Sequence, residues 1–147
     1  MTLLDVGNCV VVSPLHSPDE FTGTRDGNSV DTAYYAYALI IISVGDMFSS
    51  GTVTCTIQES STSGGTYTAC KKLGTESNAA KEFTNSDDGV VFTIAVDLNN
   101  TQRFLRAKCT HSSGAAHVYG ITMVLMPYLT DTTSVDANAA SAPLFNI

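Results

Sequence analysis

Residues 52–59 read Thr-Val-Thr-Cys-Thr-Ile-Gln-Glu, an alternation of polar and apolar side chains. A repeat of two belongs to a pleated strand, whose successive side chains point to opposite faces. Val53, Cys55 and Ile57 are therefore assigned to a core face, and Thr52, Thr54, Thr56 and Gln58 to an outer one. An antiparallel strand with one wet face fits this pattern. The repeat returns at residues 90–98, with Val90, Phe92, Ile94, Val96 and Leu98 on one side. It returns again at 103–110, where Leu105, Ala107 and Cys109 oppose Arg106 and Lys108.

Residues 32–44 differ. One face carries Tyr34, Ala36, Ala38, Ile40, Ile42 and Val44, and the other carries Tyr35, Tyr37, Leu39 and Ile41. A strand apolar on both faces lies centrally in its sheet or has its outer face covered by another chain. Residues 9–12 and 67–72 predict short strands, and 117–128 a closing one. Turn residues separate them: Gly64-Gly65, Asn99-Asn100-Thr101, and the stretch 112–115. Many short strands with turns between them predict an all-β chain, either an antiparallel β-sandwich or a jelly-roll-like barrel. Residues 75–83, with Ala79, Ala80, Lys81 and Glu82, are too few for a stable helix and are expected to be a loop with some helical content.

Two stretches fall outside the alternation. Residues 13–30 hold Pro14, Pro18, Gly23 and Gly27, which predicts an extended loop. Residues 130–147 are a Thr/Ser/Asp/Ala tail closing on Pro143, Leu144, Phe145 and Ile147. The tail is expected to be either plain disorder or, since apolar end residues gain by docking, an arm reaching a neighbouring subunit. The expected organisation is an N-terminal strand (1–12), an extended loop (13–30), a β-sandwich core (31–129) and a C-terminal arm (130–147).

Composition narrows the function. Of 147 residues, 44% are hydrophobic and 14% charged, the reverse of a disordered chain. Fourteen acidic residues against seven basic give a net charge of −7, which argues against nucleic acid as a partner. The longest apolar run, residues 33–44, is too short for a spanning helix, and no membrane partner is expected. The N-terminus has no basic start and carries Asp5, unlike a signal peptide, so synthesis in a cytoplasm-like compartment is expected. Cys9, Cys55, Cys70 and Cys109 form no CxxC pair, and reduced structural thiols are expected in place of a zinc site.

A search for reactive groups gives little. His111 and His117 flank the 112–116 turn, so their rings could approach; exposed turn histidines are the plainer reading. His16 has no nameable partner. No nucleophile elbow, zinc-protease motif or phosphate loop is present. The acidic stretch Asp26-Gly27-Asn28-Ser29-Val30-Asp31 lacks the register of a calcium loop, and turn-forming residues explain it. Neither an enzyme nor a cofactor is expected.

The order of pieces resembles small β-rich virion proteins of tailed-bacteriophage head modules. The matching pieces are the Tyr/Ala/Ile strand ending in Val44-Gly45-Asp46, the run Gly51-Thr52-Val53-Thr54-Cys55-Thr56-Ile57-Gln58-Glu59-Ser60, the turn Gly65-Thr66-Tyr67-Thr68, the strand Arg103-Phe104-Leu105-Arg106-Ala107 and an apolar closing strand. The resemblance spans about two-thirds of the chain, residues 31–126, and brings no catalytic residues. It implies a capsid decoration (cement) protein, oligomeric, on the outer surface of the head, with the major capsid protein and its own copies as partners. A homotrimer is the first expectation and a dimer the second. Other virion roles (head fibre base, tail part, host-surface adhesin domain) and a carbohydrate-binding module are the alternatives. Expected contact residues are Leu15, Phe21 and Arg25 in the loop, Tyr35 and Tyr37 on the outer strand face, and Leu144, Phe145 and Ile147 in the tail.

Overall fold

A computed structural model describes residues 10–11, 15–47, 51–112 and 117–127. Among these residues eleven strands make two antiparallel sheets packed face to face, an all-β sandwich. The strands are β1 (Val10–Val11), β2 (His16–Phe21), β3 (Arg25–Asp26), β4 (Val30–Asp31), β5 (Tyr35–Met47), β6 (Thr52–Ser60), β7 (Thr68–Ala69), β8 (Ala80–Thr84), β9 (Val91–Asp97), β10 (Phe104–His111) and β11 (His117–Pro127). The first sheet runs β1-β11-β5-β9, with β2 also beside β11. The second runs β3-β10-β6-β7, with β4 also beside β10 and β8 beside β6. Among the described residues no helix is long and apolar enough to cross a membrane.

The core lies where the alternation puts it. Val53, Cys55 and Ile57 of β6 and Leu105, Ala107 and Cys109 of β10 are buried. They face Ala38, Ile40 and Ile42 of β5, Ile94 and Val96 of β9, and Ile121, Met123 and Leu125 of β11. Phe83 and Tyr119 are the two largest fully buried side chains, and their rings meet edge to face at 5.6 Å. Between the edge strands β8 and β9, Lys81 lays its ammonium over the Phe92 ring at 4.1 Å. Its stem covers apolar surface while the charge stays near water.

Three expectations need correction. Residues 13–30 are not one extended loop, because β2, β3 and the first residue of β4 lie within them and pair with β11 and β10. Among the described residues β2 is bonded to β11 alone, so Pro18 breaks no ladder seen on its far side; it sits at the register shift between Tyr119 and Ile121. The core domain therefore begins before residue 31. Residues 80–84 are a strand and not partly helical. Pairing with Thr52–Thr56 and burial of Phe83 override the helix preference of Ala-Lys-Glu, and the only helical turn nearby is the short Asn85–Asp87 3-10 turn, capped by Thr84. Tyr34 does not share a strand face with Ala36, Ala38, Ile40, Ile42 and Val44. It precedes the strand at φ 74° and is 89% exposed.

Gly27 shows how closely the β3–β4 segment approaches the core. A Cβ there would stand 2.4 Å from the Leu15 carbonyl oxygen and 3.0 Å from the Ala107 carbonyl oxygen. Its amide donates to that Ala107 oxygen at 2.7 Å. Only glycine lets the backbone lie this near.

Candidate functional site

The residues nominated from the sequence are not brought into one patch. Leu15 is 1% exposed and belongs to the core cluster, so its nomination as a contact residue is overturned: its side chain is used up in core packing. Phe21 packs against the core at the start of β11, with its ring 5.0 Å from that of Tyr119. The guanidinium of Arg25 lies 5.7 Å from the Phe21 ring centre and is exposed. Tyr35 and Tyr37 sit at the opposite end of the sandwich, beside Pro127 and Met126. Leu144, Phe145 and Ile147 lie outside the described residues.

The outer faces of the two sheets differ in character. On the first sheet the outward positions of β5 meet outward positions of both neighbours. Leu39 lies between Val124 and Ala95, Ile41 between Thr122 and Thr93, and Tyr37 between Met126 and Asp97. The centre of this face carries no charge. Its ionised groups surround that centre: Asp97 on one side, Glu20, opposite Val118, on the other, and Asp46 at the end of β5. Leu39, Ile41, Thr122, Val124 and Met126 are half-buried by their neighbours, whereas Tyr37 is 42% and Val91 59% exposed.

The second sheet turns a charged, internally bonded surface outward. Arg106 donates to the Gln58 side chain at 3.1 Å, pairs with Asp26 at 3.3 Å and stacks over the Tyr67 ring at 4.2 Å. Near it, Arg103 makes a two-pronged bond to Asp31 at 2.9 and 2.6 Å. That hydrogen bond, with a second from the Ala33 amide, holds the Asp31 carboxyl below its ordinary range. Asp26 and Asp31 are thus committed to arginines. Their surface already has its partners, while among the described residues nothing packs over the first sheet's outer face.

Tyr34 is the contact candidate that alternation missed. The turn before β5 is closed by the Thr32 hydroxyl donating to the Arg103 carbonyl at 2.7 Å and by the Tyr35 amide donating to the Thr32 carbonyl. Tyr34 takes the left-handed conformation this turn requires, which is costly for an aromatic residue and puts its ring in water. No sequence pattern announces a positive φ at tyrosine.

A second cluster is internal. His16, His111, His117, Tyr119 and Cys109 gather where β2, β10 and β11 meet. The His111 and His117 rings do approach, at 5.2 Å, but neither is an exposed turn histidine: His117 is 0% exposed and His111 half-buried. His111 Nε2 is 3.0 Å from the Tyr119 hydroxyl. His111 Nδ1 and both His117 ring nitrogens have no hydrogen-bond partner. Burial lowers the His111 pKa, and His117, Arg25 and His16 lower it further by repulsion. Burial raises the Tyr119 hydroxyl well above its usual range. Among the described residues no three His, Cys, Asp or Glu side chains converge as metal ligands.

No protein-family model and no curated protein matches this chain. A crystal structure of the SPBc2 prophage-derived protein YomS is similar to it, with a TM-score of 0.48 and 14% identity, over 78% of this chain and 92% of that one. The likeness is one of general chain path alone.

Proposed function

We propose that this chain is a structural virion protein, a capsid decoration protein bound to the outer surface of a tailed-phage head, and not an enzyme. The observation that carries the reading is the uncharged, apolar centre of the β11-β5-β9 outer face in a chain of net charge −7. Such a centre with ionised groups at its edges has the anatomy of a protein interface. A rigid two-sheet body suits a clamp between shell subunits, which must resist separation and needs no reactive group. The order of sequence pieces shared with phage head proteins supplies the rest of the support. The partners are the major capsid protein and further copies of this chain, a homotrimer before a dimer. The excess of carboxylates disfavours the DNA-facing side of a shell.

The test is co-sedimentation of the full chain with capsids assembled from the major capsid protein encoded alongside it. Saturable binding to closed shells, with none to free DNA, is expected. Failure to bind any form of those shells overturns the proposal.

A carbohydrate-binding module is the second reading. It is favoured by the exposed Tyr34 ring near Tyr37, since exposed aromatic rings stack on sugars. It predicts glycan affinity that is lost in Tyr34→Ala, which a glycan-array measurement would reveal.

A further inference from the structure

We propose that Cys55 and Cys109 are a cross-strand pair that closes to a disulfide in the presence of a small-molecule disulfide, stapling the two central strands of the second sheet. The pair does not depend on what the outer face binds.

Register places the two cysteines together. Cys55 of β6 stands directly opposite Cys109 of β10, both face the core, and both are fully buried free thiols. The kind of rung follows from the neighbouring bonds. The Ser112 amide donates to the Thr52 carbonyl, which makes Thr52–Ser112 a hydrogen-bonded rung. At the Ile57–Ala107 rung the backbone groups point away from each other. Ile57 donates to Ala79 and accepts from Cys70, and Ala107 accepts from Gly27. Rungs alternate, so Cys55–Cys109, two residues along from Ile57–Ala107, is also a non-hydrogen-bonded rung. There the Cα atoms of an antiparallel pair stand about 4.5 Å apart, inside the ~4.4–6.8 Å range that a disulfide spans.

In the folded chain the two thiols act on each other. Cys109 accepts a hydrogen bond from Cys55, with further support from His16 and Tyr119, and these lower its pKa against the opposing effect of burial. The same bond, with burial, raises Cys55 well above its ordinary value. In the opened chain either thiol can attack first; with Cys109 as the attacking thiol, Cys55 resolves. With oxidised glutathione, the Cys109 thiolate attacks one sulfur and a glutathione thiolate leaves. The Cys55 thiolate then attacks Cys109 Sγ in the mixed disulfide, and the second glutathione thiolate leaves. The two cysteine protons end on the two glutathione thiols. The pair has lost two electrons and one oxidised glutathione has gained them. Burial means that the exchange proceeds during local opening or before the sheets close in refolding.

Cys70 is the internal comparison. It is also buried, with its thiol pushed up to about 12 by burial and the charge of Glu59, but it has no cysteine opposite it.

The test uses the full chain, unfolded in urea and refolded in a glutathione redox buffer, alkylated and digested for peptide mass mapping. The expected product is one dominant linkage, Cys55 to Cys109, lighter than the reduced pair by two hydrogen atoms. The oxidised protein should keep the strand signature of the reduced one and melt several degrees higher. Both cysteines alkylated as free thiols, linkages scrambled with Cys9 or Cys70, stable glutathione adducts, or a linked form that has lost its strands would each overturn the proposal.

Discussion

The rings of His111 and His117 lie 5.2 Å apart at the end of the sandwich, and neither Nδ1 has a hydrogen-bond partner. Two imidazoles at this distance, with Arg25 and His16 acting on the same site, favour the neutral state of His111. They are a place where a proton acts on the fold.

Stability should therefore fall as pH falls through the imidazole range. His111 titrates below its ordinary value of 6.5 in the folded chain. The unfolded chain then binds the proton first, and stability rises with pH through this window. The loss begins near the ordinary value and stops growing below the folded pKa. Urea melts between pH 8 and 5 should show the decline, and His111→Gln should flatten it. A wild-type profile level across that range contradicts the assignment. The Asp31 contribution has its own window, present above its ordinary value of 3.8 and lost as pH falls through its lowered pKa.

Gly27→Ala should destabilise the chain by about 1–3 kcal/mol, since the added methyl must push against the backbone oxygens of Leu15 and Ala107. Gly23→Ala is the contrast: nothing lies within 4 Å of its Cβ position, so only the strain of φ +70° opposes it. A smaller loss in the Gly27 variant than in the Gly23 variant would show that the β3–β4 segment does not lie against β10.

Phe83→Ala should cost about 3–5 kcal/mol, the range for emptying a buried aromatic site. The expectation depends on residues 80–84 being a strand with Phe83 against Tyr119. If these residues were a surface turn, thermal melts of the variant would shift by little.

Ile41→Lys places a charge at the centre of the first sheet's outer face, between Thr122 and Thr93. The side chain is half-exposed in the single chain, so its intrinsic cost should be about 1 kcal/mol or less. Sedimentation velocity should find wild-type protein larger than a monomer and the variant shifted toward monomer with its melting little changed. Equal sedimentation of the two would remove this face from self-association.

Where one face of a strand is buried and the other wet, the sequence was readable residue by residue. Val53, Cys55, Ile57, Leu105, Ala107 and Cys109 are buried as their alternation requires. The strand β2 was not readable. It is an edge strand held largely by backbone bonds to β11, and its His-Ser-Pro-Asp-Glu-Phe carries no alternation and a proline that signals a loop. The strand β8 was hidden because Ala-Lys-Glu favours a helix locally, and only pairing with β6 decides otherwise. Of the candidate site, the apolar outer face of β5 was legible in Tyr37, Leu39 and Ile41, whereas Tyr35, at the register shift beside Pro127, packs against the core. Its continuation onto Val124 and Ala95 was not, since register between distant strands is a tertiary property. The Cys55–Cys109 rung was invisible for the same reason.

The central claim is that the outer face of the β11-β5-β9 sheet is where this chain binds its partners. The most direct measurement is a cryo-electron microscopy reconstruction of capsids carrying the bound chain, at a resolution that separates strands. The account predicts Leu39, Ile41 and Val124 packed against capsid protein or a neighbouring copy, with Arg106 and Lys108 turned to solvent. Copies bound through the Arg106 face, with Ile41 open to water, would contradict it.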